Sequence, residues 1–181
     1  MGTLAQTVTG SATAGNTLAA HAVSTLADTL IGGTGADTLT ANAGLDTLTG
    51  GGGQDTFVVS VASGNVNSYA TITDIIAGDT LKLKDVGTET FQQSKIALAP
   101  TAVFQDYANA AVNAGGDASV NGYIAWFQYG GDTYVVESTH NATASLNFSN
   151  GTDLIVKLTG VHDLTTATLF NANATPLIVL H

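Results

Sequence analysis

Four aspartates stand nine residues apart, at Asp28, Asp37, Asp46 and Asp55, and each is followed two positions later by a large apolar residue, Leu30, Leu39, Leu48 or Phe57. A carboxylate recurring with that period marks an edge where negative charge accumulates, and its apolar partner marks a side that turns inward. Glycine is dense ahead of two of the aspartates, in "GGTGAD" (residues 32–37) and "GGGGQD" (residues 50–55). Glycine takes backbone conformations with positive φ that side chains forbid, so several carbonyls can face one point. Carbonyls and a carboxylate together make a cage of hard oxygens without nitrogen or sulfur. Calcium accepts about six to eight oxygens at flexible geometry, whereas magnesium demands a tight octahedron and keeps its waters. Calcium is therefore the expected ion.

The elements that must position these oxygens follow from the period. From about Val23 to Val58 the chain divides into "VSTLADTLI", "GGTGADTLT", "ANAGLDTLT" and "GGGGQDTFV". Repetition at a fixed interval governs architecture ahead of local propensity. A glycine-rich linker would not hold Asp and Leu in register through every unit. Each unit reads as a turn followed by a short strand with one residue pointing inward. A unit supplies about three ligands, half a calcium shell, so an ion must be shared between two turns. If successive units lie on opposite edges of a flattened coil, Asp37 stacks on Asp55 and Asp28 on Asp46.

The units "GGTGADTLT" and "GGGGQDTFV" resemble the glycine-rich nonapeptide of the repeats-in-toxin (RTX) family. "ANAGLDTLT" keeps Gly44 and the Asp, while "VSTLADTLI" keeps the Asp and the strand but none of the glycines. The resemblance implies a parallel β-roll. Each ion would be held by carbonyls at positions two and four and the Asp of one turn, and by carbonyls at positions one and three and the Asp of the next. Carried over, the best site comprises Gly33, Gly35, Asp37, Gly50, Gly52 and Asp55. On the opposite edge the rule uses Ser24, Leu26 and Asp28 with Ala41, Ala43 and Asp46, in turns that lack most glycines. "TITDIIAGDTLKL" resembles the segment that follows such stacks. There Asp74 and Asp79 either complete a final calcium shell or are simply turn residues.

Outside the repeats, residues 2–22 read as irregular or weakly β, and residues 69–87 as two strands capping the stack, joined by a turn at Ala77–Asp79. Apolar residues at helical spacing after Pro100 predict a helix over 101–115, ending near Gly115-Gly116. "GYIAWFQYGGDTYVVES" predicts a hairpin turning at Gly130-Gly131-Asp132, and "ATASLNFSNGTDLIVKLTG" a second turning at Asn150-Gly151. Trp126, Phe127, Tyr129 and Tyr134 make either a sugar-binding platform or, as strand aromatics more commonly do, sheet packing. The expected fold is all-β: an N-terminal segment (1–22), a parallel β-roll of glycine-rich nonapeptides (23–60), and a C-terminal β-sandwich-like domain with one short helix (61–181).

Composition narrows the function. The 181 residues are 10% charged, with 14 acidic and 4 basic side chains. So few cations leave little with which to neutralise phosphates, so no nucleic-acid partner is expected. There is no cysteine, which excludes disulfides and thiolate-held metals. No apolar run approaches a membrane span, so no membrane insertion is expected. "MGTLAQTVTGSATAG" has no basic region leading into an apolar stretch, so no secretory signal peptide is expected. His21, His140, His162 and His181 show no metal-binding spacing, and Asn-x-Ser/Thr triplets at Asn141, Asn147, Asn150 and Asn173 are what an Asn- and Thr-rich chain yields by chance. No nucleophile elbow or phosphate loop appears, and no enzyme activity is expected.

The C-terminal strands and the final "PLIVLH" are similar to the region after the repeats in type I secreted proteins. The resemblance thus implies a secreted or bacterial cell-surface protein whose partners are calcium, the type I secretion machinery and other copies in a surface-layer (S-layer) lattice. Alternatives are the calcium-binding secretion domain of a secreted protease or lipase, or the end of an RTX adhesin.

Overall fold

The computed structural model describes residues 4–22, 26–84, 89–115, 122–139, 147–171 and 176–181. Ser24, Gly116, His140, Asn141 and Asn173, singled out above, lie outside these residues. The first half of the chain winds alternately between two sheets through β1 (Thr7–Thr9), β2 (Thr17–Ala19), β3 (Thr29–Gly33), β4 (Thr38–Ala41), β5 (Thr47–Gly51), β6 (Thr56–Val59), β7 (Ala70–Ile72) and β8 (Thr80–Lys82). Odd-numbered strands stack in parallel in one sheet and even-numbered strands in the other, which is a parallel β-roll.

The register follows from the period-two alternation of a strand, since only one of two neighbouring side chains can face the inside. Leu30 pairs with Leu48, and Leu48 with Ile72, while Leu39 pairs with Phe57, and Phe57 with Leu81. All six are buried. A threonine precedes each of them and stacks in the same register on the outside, as Thr29 on Thr47 and Thr38 on Thr56.

Residues expected to be irregular or weakly β supply the first turn. β1 pairs with β3, and β2 with β4. At the other end, the strands expected to cap the stack are its last turn. β7 and β8 flank the predicted turn, where Gly78 has φ +96°, but they lie in opposite sheets.

The rest of the chain extends both sheets. After β9 (Thr90–Phe91) and helix α1 (Phe104–Asn113), β10 (Tyr123–Tyr129) and β11 (Asp132–Ser138) form the expected hairpin about Gly130-Gly131, both with positive φ as a tight two-residue turn requires. β12 (Leu154–Leu158) pairs antiparallel with β11 and parallel with β7, joining the hairpin to the roll. Asn150-Gly151 is indeed a turn, with Gly151 at φ +73°. Among the described residues, however, the strand after it pairs with β11 and β7, not back across that turn. β13 (Thr168–Asn171) and β14 (Pro176–Val179) continue the second sheet, β14 lying antiparallel against β8. The inner faces share one core that runs from Ala20 through Leu48, Phe57, Trp126 and Val156 to Leu180.

Helix α1 covers the outer face of the hairpin sheet. Asp106 accepts the Val103 N–H at 2.9 Å and caps its first turn. Ala108 and Ala111 pack over Phe127, Tyr134 and Ile155, with Phe104 edge-on to Tyr134 at 4.8 Å between ring centroids. The strand aromatics are thus packing residues, Trp126 inward and Phe127 and Tyr134 beneath the helix. Among the described residues no helix is long and apolar enough to cross a membrane.

One buried acid sits on the inner face. Glu137 accepts the Lys84 N–H at 3.0 Å through one oxygen, and its other oxygen has no partner among the described residues. Burial pushes its carboxyl up to about 8, with the Glu89 and Asp153 charges adding to the effect and Lys84 opposing it. The unfolded group ionises near 4.5, so this group's contribution to stability is full below that pH and is lost as pH rises through about 8. Glu137→Gln is expected to flatten that fall, raising stability at pH 8 by an amount on the order of a few kcal/mol, read from denaturant unfolding of variant and wild type across pH at fixed calcium.

Candidate metal centre

The sheet-to-sheet connections form two edges. One edge carries residues 10–16, 34–37, 52–55 and 73–79; the other carries, among the described residues, 20–22, 26–28, 42–46 and 60–69. On both, the repeat aspartates are buried and joined by a ladder in which one residue's main-chain N–H donates to the carboxylate of the next turn. Asp37 N–H donates to Asp55 Oδ1 at 2.8 Å, Asp55 N–H to Asp79 Oδ1 at 2.9 Å, and Asp28 N–H to Asp46 Oδ1 at 2.9 Å. Each bond fixes a carboxylate against the backbone of the neighbouring turn.

The edges differ in what the second carboxylate oxygen does. Asp28 Oδ2 accepts the His21 N–H and Asp46 Oδ2 the Asn42 N–H. Asp37 Oδ2 is buried and has no hydrogen-bond partner among the described residues. It lies against Gly32, where an added Cβ would collide with it and stand 2.5 Å from the Gly50 carbonyl oxygen. The relation recurs eighteen residues on, where a Cβ at Gly50 would collide with Asp55 Oδ2. A buried carboxylate oxygen without a donor, sharing the space beside one glycine with a carbonyl oxygen of the next turn, is a candidate site for a cation.

The remaining oxygens fit the same reading. The Gly35 carbonyl faces Gly53, and the Gly33 carbonyl faces Gly51 and accepts the Gly52 N–H at 2.8 Å, keeping a second lone pair. A side chain at Gly51 would collide with the Gly33 oxygen, and its φ of +96° favours glycine besides. Gly33, Gly35, Asp37, Gly50, Gly52 and Asp55 are therefore brought together between two adjacent turns. All donors are oxygen, mostly main-chain. That is why no group of three or more His, Cys, Asp or Glu side chains converges among the described residues.

Asp74 and Asp79 join this edge. Asp74 accepts the Gly50 and Gly51 N–H groups at 2.9 and 2.8 Å, and Asp79 Oδ2 accepts the Ile76 N–H at 2.8 Å. Burial holds the Asp55 carboxyl above the usual range against its bond from Asp37 N–H, and the charges of Asp79, Asp37 and Asp74 add to that. Asp79 is likewise raised, by burial first.

The opposite edge is built differently. Asp28 is held low by the His21 and Gln6 N–H groups, while burial raises Asp46. The Leu26 carbonyl faces Gly44, whose φ is +140°, as Gly35 faces Gly53. Ala20 stands opposite Ala41, because Ala20 N–H donates to Thr40 O. This connection is three residues longer than a nonapeptide allows, a shift the unit boundaries read from sequence do not show. Asn42 adds a bond from its side-chain amide to the Ala20 carbonyl.

Two residues missed in the sequence stand in the ladder positions of the first turn. Gln6 N–H donates to Asp28 Oδ1 at 2.8 Å and Asn16 N–H to Asp37 Oδ1 at 2.6 Å. The signal was present: "NTL" (16–18) is the "DTL" triplet with an amide for the acid, and "QTV" (6–8) is the same with Val for Leu.

Residues 24–57 match the family model described as RTX calcium-binding nonapeptide repeat, in four copies. These repeats bind calcium, and the cation site read from the geometry lies within them. No curated protein matches the chain.

The glycines of one unit are not equivalent. At Gly50 a methyl group meets Asp55 Oδ2 and, at 2.9 Å, the Phe57 ring, whereas at Gly52 its nearest neighbour is Thr34 Cα at 3.8 Å. Other units already carry Thr34 and Ala43 at the third position. Gly50→Ala is therefore expected to cost about 1–3 kcal/mol and to weaken calcium binding measured by isothermal titration. Gly52→Ala is expected to bind like wild type.

Proposed function

We propose that this chain is the calcium-binding module of an exported bacterial surface protein, folding when it meets extracellular calcium. The observation that carries this reading is the buried Asp37 Oδ2, which has no donor among the described residues and shares the space beside Gly32 with the Gly50 carbonyl oxygen. Gly33, Gly35, Asp37, Gly50, Gly52 and Asp55 hold the ion on that edge. Asp74 and Asp79, stacked next to Asp55, extend the column, and Asp28, Asp46 and Gly44 form the weaker opposite edge. The ion supplies positive charge that no side chain in the column provides; the chain's residues position the oxygens and exclude water around them.

The role is structural, not catalytic. Two sheets of three- to five-residue strands around one or two inward side chains per strand bury little per turn. Binding energy delivered by the ion becomes folding energy in such a module. Extracellular calcium sites work near ~0.1–1 mM, far above cytosolic levels. The chain would then stay threadable inside the cell and fold outside it, which suits a one-step type I export channel. Repeats of this kind are typical of secreted proteins, which supports the same localisation. Abundant Thr, Ala, Asn and Gly with only four basic residues favour a lattice-forming S-layer subunit over an enzyme's secretion domain.

Calcium titration followed by far-UV circular dichroism tests the coupling. The β-signal is expected to rise between roughly 0.1 and 1 mM calcium in wild type, and to require much more calcium in an Asp37→Ala, Asp55→Ala double variant. A full β-signal in chelator, or a double variant that titrates like wild type, refutes the coupling. Ordered arrays seen by electron microscopy only with calcium would support the lattice role.

A further inference from the structure

The turn at residues 10–16 stacks on residues 32–37 as 32–37 stacks on 50–55, yet it lacks an aspartate. Asn16 stands in the ladder position, and its side-chain nitrogen lies where the inter-turn oxygens converge. Nδ2 is 2.6 Å from the Ala14 carbonyl oxygen, 2.7 Å from Asp37 Oδ1, 3.1 Å from the Ser11 carbonyl oxygen and 3.4 Å from the Gly32 carbonyl oxygen. Gly10 aligns with Gly32, since its N–H donates to Ile31 O. Ala14 lies against Gly35, as the collision of a Cβ there shows. The oxygens around Nδ2 are thus carbonyls stacked like those at positions two and four of one turn, the first-position carbonyl of the next, and its aspartate.

We propose that the Asn16 amide is a built-in substitute for a calcium ion and makes the first rung of this edge metal-free. The orientation of the amide is fixed from its other end. Asn16 Oδ1 accepts the Ser11 N–H at 2.8 Å. Rotating the amide by half a turn would set Oδ1 among four acceptors and Nδ2 against a donor, losing every one of these bonds.

The charge balance agrees. A calcium rung pairs two carboxylates around a doubly charged ion. Here replacing Asp by Asn removes one carboxylate and supplies two polarised N–H bonds shared among the oxygens, leaving Asp37 the one anion in the rung. Asp37 then divides its work: Oδ1 takes the Asn16 main-chain and side-chain donors, and Oδ2 is left for the calcium shared with residues 50–55. The column of ions on this edge begins at Asp37, one rung later than the column of turns.

The inference rests on calcium binding by the repeats, and two measurements separate it from that reading. Calcium stoichiometry from isothermal titration and native mass spectrometry is expected to be unchanged in Asn16→Ala and to rise by one ion per chain in Asn16→Asp. NMR of the calcium-saturated wild type is expected to show the Asn16 side-chain NH2 protons strongly protected from exchange. Loss of one ion in Asn16→Ala, an unchanged count in Asn16→Asp, or freely exchanging Asn16 amide protons would overturn the proposal. A wild type that takes up no calcium would defeat the calcium reading instead, with the amide exchange still deciding the role of Asn16.

Discussion

Stacking turns of a parallel coil in register places every carboxylate next to its own copy, and the rest of the molecule follows from how that is relieved. Neighbouring strands lie about 4.8 Å apart. Two unit charges at that separation repel by roughly 3 kcal/mol at the effective dielectric of a protein site. The N–H bond that each aspartate accepts from the turn before it, Asp37 to Asp55 and Asp55 to Asp79, returns about 1.5–3 kcal/mol. The two nearly cancel. A buried carboxylate oxygen with no donor among the described residues, as at Asp37, tips the balance against the stack, and a divalent ion reverses it. The raised carboxyls of Asp55 and Asp79 express the same conflict in protonation instead of binding.

The interior obeys a second, weaker constraint. The roll's core is built on a double row of Leu30, Leu48 and Ile72 against Leu39, Phe57 and Leu81, with Ala41, Val59 and Ala70 filling in beside them. Such a row is open at its ends, and the C-terminal half closes one of them. β12 continues the first sheet beyond β7 and β14 continues the second beyond β8, so Trp126, Val156 and Ile178 extend the same core. The bond from Gly78 N–H to Leu180 O ties the chain's last residues to the turn that ends the acidic column.

What was legible in the sequence is what repeats. Asp at one interval with Leu or Phe two residues on specifies turns, register and burial together, and a slip of one residue would reverse every side chain. The first turn escaped because its ladder residues are Gln6 and Asn16 and its connections are longer, so both the residue type and the interval change at once. The junction of the two halves escaped for another reason. The parallel pairing of β7 with β12 joins Ala70 to Val156, and no local pattern carries a contact across that separation. The first hairpin and the helix were legible because their signals are local: Gly130-Gly131 for the turn, and apolar spacing after Pro100 for α1; the second hairpin was not, because its strand pairs with distant β11 and β7.

A column of like charges must also end, and this one ends in hydrogen-bond donors on both sides. At the C-terminal end Asp74 takes two glycine N–H groups and Asp79 takes those of Asp55 and Ile76, so both carboxylates are satisfied by main chain. At the N-terminal end Asn16 gives Asp37 a main-chain and a side-chain donor. Between these donors, among the described residues, Asp37 Oδ2 alone of the column's buried carboxylate oxygens has no donor. The ion is required where acceptor meets acceptor, and at the N-terminal departure from the nonapeptide the chain's own donors from Asn16 take its place.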